Sequence, residues 1–373
     1  MHIFPQLHRA GGTNGGAMWG RSKSGFKTGY ELVAGGLRQI SSLTSSVFTI
    51  VMMLTVSIML TGCGEGDAKT SADAAPATQG SMHIAYQYGI GYAPAMIAKE
   101  QGYLEQLLPN VEITWQLMNS GSTINAATIA GDIDFALMGT APFLIGIDKG
   151  VPYKLFTGMS TYMPTGLVCS DPKITKLSDF TAEDRIAVVS YGSIQHILLA
   201  MGADKYLGDP HALDNNIISM SNPEGFATLL AGKSEVKAQL ASVHYYMRLI
   251  EYGYHDIMPL DQVFMAEPTL LLGAISTETL EDHPEYLEAM RTALEKGRVF
   301  LREHPEEAAA ILAKIEGTTP EQMSEYLQYP TLKFTEQTQG IFALAQFMAK
   351  AGFISNAPQN FADFATANLD KSN

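Results

Sequence analysis

The chain has 373 residues, 46% of them hydrophobic, and 24 Lys and Arg stand against 38 Asp and Glu for a formal net charge of −14. So acidic a surface disfavours anionic lipid headgroups and sets nucleic acid aside as a partner, since both are held by clustered cations. The length suits about two domains, and two cysteines (Cys63 and Cys169) leave the core to hydrophobic burial rather than to disulfides.

Residues 1–62 read as an export signal. Every charge before residue 39 except Glu31 is basic (Arg9, Arg21, Lys23, Lys27, Arg38), and eleven of the fourteen residues from Val47 to Leu60 are apolar. A basic flank, a short apolar core and small residues before a cysteine are the parts of a secretory signal. The alternative is a signal-anchor helix, because residues 39–60 are long enough to span a bilayer; their Ser and Thr content argues against it. The ending Leu60-Thr61-Gly62-Cys63 resembles the lipobox of bacterial lipoproteins. That implies lipidation of Cys63, which becomes the first mature residue, on the extracytoplasmic side of the membrane. Residues 63–80 are small, polar and aperiodic, and read as a flexible tether.

From there strand and helix patterns alternate. Strands are expected at 83–88, 111–117, 134–138 and 154–158, with helices at 95–107, 124–130 and 141–149 between them. A second set has strands at 166–169, 185–189, 217–220 and 236–240 and helices at 193–201 and 222–231. After a β-like run at 269–276 the remainder reads as helical, over 278–303, 305–315, 320–327, 336–351 and 359–369. Alternation of this kind predicts parallel sheets covered on both faces. The order predicts two α/β lobes, the second inserted into the first: residues 81–164, then 165–270, then a return over 271–373. Cys169 lies in an apolar strand and reads as a buried thiol.

Ligands of open α/β sheets bind beyond the carboxyl ends of strands, where loops enter helix N-termini. That rule selects 87–93, 119–123, 139–141, 190–195 and 241–245. These loops hold Gly, Ser, Thr and tyrosines (among them Tyr88, Tyr92, Tyr191, Tyr245), with hardly any Lys or Arg. Backbone N–H groups at helix starts favour anions or carbonyl oxygens without a full positive charge nearby. His196 and His244 read first as structural. The chain has no HExxH, CxxC, GxSxG, phosphate-loop or complete GxGxxG motif, and its nine histidines show no metal-ligand spacing. No cofactor is expected.

Three segments resemble one family. His83 to Leu104, with Gly91-Tyr-Ala-Pro94 and Ile97-Ala-Lys-Glu-Gln-Gly-Tyr-Leu104, is similar to the opening of nitrate/sulfonate/taurine-type substrate-binding proteins of ABC importers, a family shared with thiamine pyrimidine precursor binding proteins. Gly131-Asp-Ile-Asp-Phe-Ala-Leu-Met-Gly-Thr-Ala-Pro142 resembles its third-strand signature. Ser276 to Leu287 and Arg302 to Ala309 resemble its C-terminal helices. The resemblance implies the type II periplasmic-binding-protein fold, two α/β lobes on a two-segment hinge. It also implies a monomer that captures a small organic solute and hands it to a permease driven by an ATPase. By matching loops it carries ligand contacts to Tyr92, Ala93, Ser120, Gly139, Thr140, Ser193 and Gln195, with Glu267 at the return crossing. Two other readings remain beside it: a same-fold enzyme of pyrimidine or menaquinone biosynthesis, and a ligand-sensing lipoprotein.

Overall fold

The structure, a computed structural model, describes residues 80–161, 164–232, 235–264, 268–367 and 369. The expected signal, Cys63, all of the tether but Gly80, Tyr162 and Glu267 lie outside the described residues.

Among the described residues eleven strands form two sheets. β1 (Gly80–Tyr86), β2 (Val111–Leu117), β3 (Phe135–Gly139), β4 (Tyr153–Thr161), β10 (Thr269–Ser276) and β11 (Lys333–Phe334) make the first, in the order β11-β4-β10-β3-β1-β2. β5 (Thr165–Cys169), β6 (Arg185–Val188), β7 (Ile217–Ser219), β8 (Val236–Ser242) and β9 (His255–Pro259) make the second, in the order β7-β6-β8-β5-β9. The chain thus leaves the first sheet after β4, builds the second, and returns at β10. This is the two-lobed α/β fold with one lobe inserted in the other.

The expectation of wholly parallel sheets needs correction. β2, β1 and β3 are parallel, as are β7, β6 and β8. β10 is antiparallel to both β3 and β4, and β5 is antiparallel to β8 and β9. The physical reason is connectivity. A parallel neighbour needs a helical crossover on the same sheet, and the strands next to the inter-sheet crossings have none.

β3 is buried along its whole length, as a central strand covered on both faces must be. In β5 the alternation of side chains splits the burial. Leu167 and Cys169 join the large core, and Val168 joins a smaller cluster with Phe226, Leu229, Tyr245 and Leu249. Burial pushes the Cys169 thiol up to about 11, so it is inert at neutral pH.

The helix expected over 278–303 is broken at His283-Pro284 into Thr277–Asp282 and Pro284–Glu303. Pro284 lacks the N–H that would continue the first helix, and it starts the second. The long helix buries Tyr286, Met290, Ala293, Leu294 and Gly297, one stripe at helical spacing. Gly297 is required there: a Cβ would fall 2.2 Å from the Pro94 carbonyl oxygen. That close approach fixes the helix Ala93–Glu100 behind the loop that follows β1. The helix expected over 359–369 shrinks to Phe361–Phe364, because Ala365 bridges Leu155 and the Thr366 N–H bonds its carbonyl at 2.8 Å. The helix His244–Glu251 and β9 were not foreseen.

Candidate functional site

Loops at the strand ends of both sheets enclose a small cleft. Its wall takes Gln87, Tyr88, Gly89, Gly91 and Tyr92 after β1, Asn119 and Gly121 after β2, and Gly139 and Pro142 at the end of β3. The second lobe adds Val189, Ser193, Ile194 and Gln195 after β6, Asn222 after β7, and Ser242 and Val243 at the end of β8. The space open to the centre of a water-sized sphere is about 40 Å³, roughly what three waters need at ~10–15 Å³ each. The lobes are closed on one another. Ideal Cβ atoms would meet Ile194 Cγ2 at 3.3 Å from Gly139 and Ile145 Cδ1 at 2.7 Å from Gly192.

Among the described residues the wall carries no Asp, Glu, Lys, Arg, His or Cys. Six helices begin on it: Ala93–Glu100 and Gly121–Ile129, then Thr140–Asp148 and Ile194–Leu207, then Asn222–Ala231 and His244–Glu251. Each start points the positive end of a helix dipole at the cleft. The wall therefore offers partial positive charge from backbone and neutral amides and hydroxyls from side chains.

Local hydrogen bonds hold these groups in place. The Tyr92 hydroxyl donates to Gln87 Oε1 at 3.1 Å, and burial raises its pKa far above the ordinary tyrosine value. Ser193 caps its helix by accepting from the His196 N–H at 3.2 Å. The Gly192 N–H donates to His196 Nδ1 at 2.9 Å, which places the ring proton on Nε2, 3.3 Å from Asp214 Oδ1. Burial lowers the His196 pKa despite the pull of Asp214. Asn222 is 7% exposed and its Oδ1 has no protein partner. Val243 adopts φ 54° and ψ −131°, a conformation that costs a β-branched residue on the order of 1–3 kcal/mol. Its N–H is held by the Pro164 carbonyl at 2.6 Å.

Of the residues carried over from the family resemblance, Tyr92, Gly139, Ser193 and Gln195 lie together on the wall. Three others stand behind it. Ala93 is fully buried at the start of its helix. Ser120 caps the helix Gly121–Ile129, accepting from the Thr123 N–H at 3.2 Å. Thr140 is fully buried and donates to the Thr269 carbonyl at 2.6 Å, joining the end of β3 to β10. Asn222 was missed, although Ser221-Asn-Pro-Glu224 after a strand is a capping box, with the Ser221 N–H donating to Glu224 Oε2 at 2.8 Å.

The NMT1/THI5-like family profile matches residues 90–308. A curated relative, the taurine-binding periplasmic protein of Escherichia coli K12, is 22% identical over 316 residues, covering 77% of this chain and 92% of its own. Among solved structures, the alkanesulfonate-binding protein SsuA of Xanthomonas axonopodis pv. citri bound to MOPS is similar with a TM-score of 0.62 and 21% identity, over 78% of this chain and 96% of its own. The periplasmic aliphatic sulphonate binding protein SsuA of Escherichia coli is similar with a TM-score of 0.59 and 17% identity, over 79% and 94%. The chain belongs to the NMT1/THI5-like family and is built on the type II periplasmic-binding-protein fold.

Proposed function

We propose that this protein is the extracytoplasmic receptor of an ABC importer, a non-catalytic monomer tethered by lipid on Cys63. It would capture one small organic solute between its lobes and hand it to a permease and its ATPase. The lobes, residues 81–164 with 271–373 and residues 165–270, would move about the two chain crossings. The observation that carries this reading is the cleft itself: six helix starts from both lobes converge on a wall that, among the described residues, has no charged side chain. A solute touching both lobes binds the closed form better than the open one, which is what a hinge equilibrium requires.

The helix starts suit a sulfonate or other weakly solvated anionic oxygen group. Tyr88 and Tyr92 supply aromatic surface for a flat or aliphatic body. The relatives' names point to the same class, since they bind taurine, alkanesulfonates and MOPS. Among the described residues the wall offers amides, hydroxyls and backbone, groups suited to binding a solute.

The test is a melting-curve screen of the purified protein, stripped of bound solute, against taurine, alkanesulfonates, MOPS, pyrimidines and small organic acids. A solute at a hundred times its Kd adds about 2.7 kcal/mol and raises the melting temperature visibly. A folded protein that responds to none of them would overturn the proposal.

A further inference from the structure

One buried carboxylate sits between the lobes outside the cleft wall. Glu316 ends the first-lobe helix Pro305–Glu316, and its side chain is 2% exposed. Oε1 accepts the Gly89 N–H at 2.9 Å, from the loop that forms the cleft wall after β1. Oε2 accepts the Tyr245 hydroxyl at 3.1 Å and lies 3.3 Å from His244 Nε2, both on the first turn of the second-lobe helix His244–Glu251. The His244 contact has ion-pair distance without hydrogen-bond alignment. His244 is fully buried, with its ring 4.0 Å from that of Tyr245.

The chemistry of this arrangement is specific. A buried charge is tolerated only with partners, and the partners of Glu316 come from two lobes. Opening the lobes strips Tyr245 and His244 from the carboxylate and leaves only Gly89, which belongs to its own lobe. The same second-lobe helix is held at its far end as well, where the Tyr326 hydroxyl donates to Glu251 Oε2 at 3.0 Å. Gly89, with φ 107° and nothing within 4 Å of an ideal Cβ, turns its N–H away from open space toward Glu316. Strained Val243, immediately before His244, lines the cleft.

We propose that Glu316 is the interlobe positioning residue of the cleft: its single carboxylate sets the Gly89 loop of one lobe and the start of the helix His244–Glu251 of the other against each other, and so holds the solute-competent closed form. The proposal rests on reading the cleft as the solute site. Its test is therefore built so that either idea can fail alone.

Amide hydrogen exchange is followed by mass spectrometry in the full chain and in Glu316→Ala and Glu316→Gln, each with and without millimolar taurine. In Glu316→Ala, exchange is expected to rise at least tenfold in peptides covering both 87–92 and 243–252, with β3 unchanged. Glu316→Gln keeps an oxygen for the Gly89 N–H but loses the charge, so 243–252 is expected to rise while 87–92 stays near the parent rate. It also serves where the alanine variant does not fold. Taurine affinity by calorimetry is expected to fall at least tenfold in Glu316→Ala. Faster exchange confined to 305–320 would reduce Glu316 to a helix end and overturn the proposal. Should taurine fail to bind the parent, the exchange pattern still decides the role of Glu316, and the failure falls on the solute reading.

Discussion

The cleft is closed on two flanks, and they are built from opposite materials. On one flank the charge is buried: Glu316 meets Tyr245 and His244, which are 4% and 0% exposed. On the other, the polar contacts are in water. His211 Nε2 reaches the Ala351 carbonyl at 2.7 Å with its side chain 45% exposed, and Lys350 stands 3.6 Å from Asp204 with its side chain 75% exposed. The Phe353 ring, 5.2 Å from that of His196 and 5.0 Å from that of His211, adds apolar contact there. Both flanks cross between lobes, so a count of polar contacts would rate them alike. Energetics separates them. Losing one partner of a buried charge strands the other without water, whereas an exposed pair exchanges its partner for solvent at little cost.

The largest effect should therefore follow a minimal change on the buried flank. Tyr245→Phe removes one hydroxyl and leaves Glu316 Oε2 short of its donor, which should cost about 1–3 kcal/mol. Urea denaturation is the measurement, with His211→Ala as the matching change on the other flank, expected to cost well under about 1 kcal/mol. Equal losses from the two variants would erase the distinction between the flanks.

An intermediate effect is expected where the exposed flank meets the cleft. Ser193 caps the helix Ile194–Leu207, whose body carries His196. Ser193→Ala removes that cap and should cost about 1 kcal/mol. The loss should be read both in the melting temperature and as faster exchange in the first turn of that helix. A variant as stable as its parent would mean that the Gly192–His196 bond alone, at 2.9 Å, holds the helix start.

Much of the fold was legible because its signals are local. The strand β3 announces itself as a short apolar run between an acidic loop and a Gly-Thr start, and Ser120 and Ser193 sit one residue before their helices as caps should. The sidedness of the cleft followed from the rule that ligands lie at strand ends, which is why Tyr92, Gly139, Ser193 and Gln195 fall on one wall. What escaped was set by distant partners. Ala365 leaves its helix pattern to bridge Leu155, and Thr140 turns its hydroxyl to Thr269 rather than to the cleft. Glu316 looked like any acidic residue near a helix end, since its three partners lie 227, 71 and 72 residues away in sequence. No spacing rule reaches that far.

The smallest effect, and the sharpest test of the exposed flank, is its response to pH. Asp214 serves two histidines, with Oδ2 2.8 Å from His211 Nδ1 and Oδ1 3.3 Å from His196 Nε2. His211 has an acceptor on each ring nitrogen, Asp214 and the Ala351 carbonyl, and satisfies both only as the imidazolium. Its pKa is raised by the Ala351 carbonyl first and by Asp214 after it, with Asp209 adding to the pull. A raised folded-state pKa gives stability that is full below the unfolded value, about 6.5, and is lost as pH rises through the folded value. His196 runs the other way. Burial lowers its pKa and Gly192 needs its Nδ1 unprotonated, so its contribution is full above about 6.5 and is lost as pH falls. The two slopes meet, and this pair favours the folded form most near the ordinary histidine value. The difference in melting temperature between the parent and His211→Ala cancels the titrating groups that do not face His211, leaving its own slope and its repulsion of His196. It should be positive and flat in mild acid and shrink toward zero as pH rises past neutrality. A difference that stays constant across that range would mean His211 holds Ala351 as a neutral ring, leaving His196 to carry the pH response of the exposed flank.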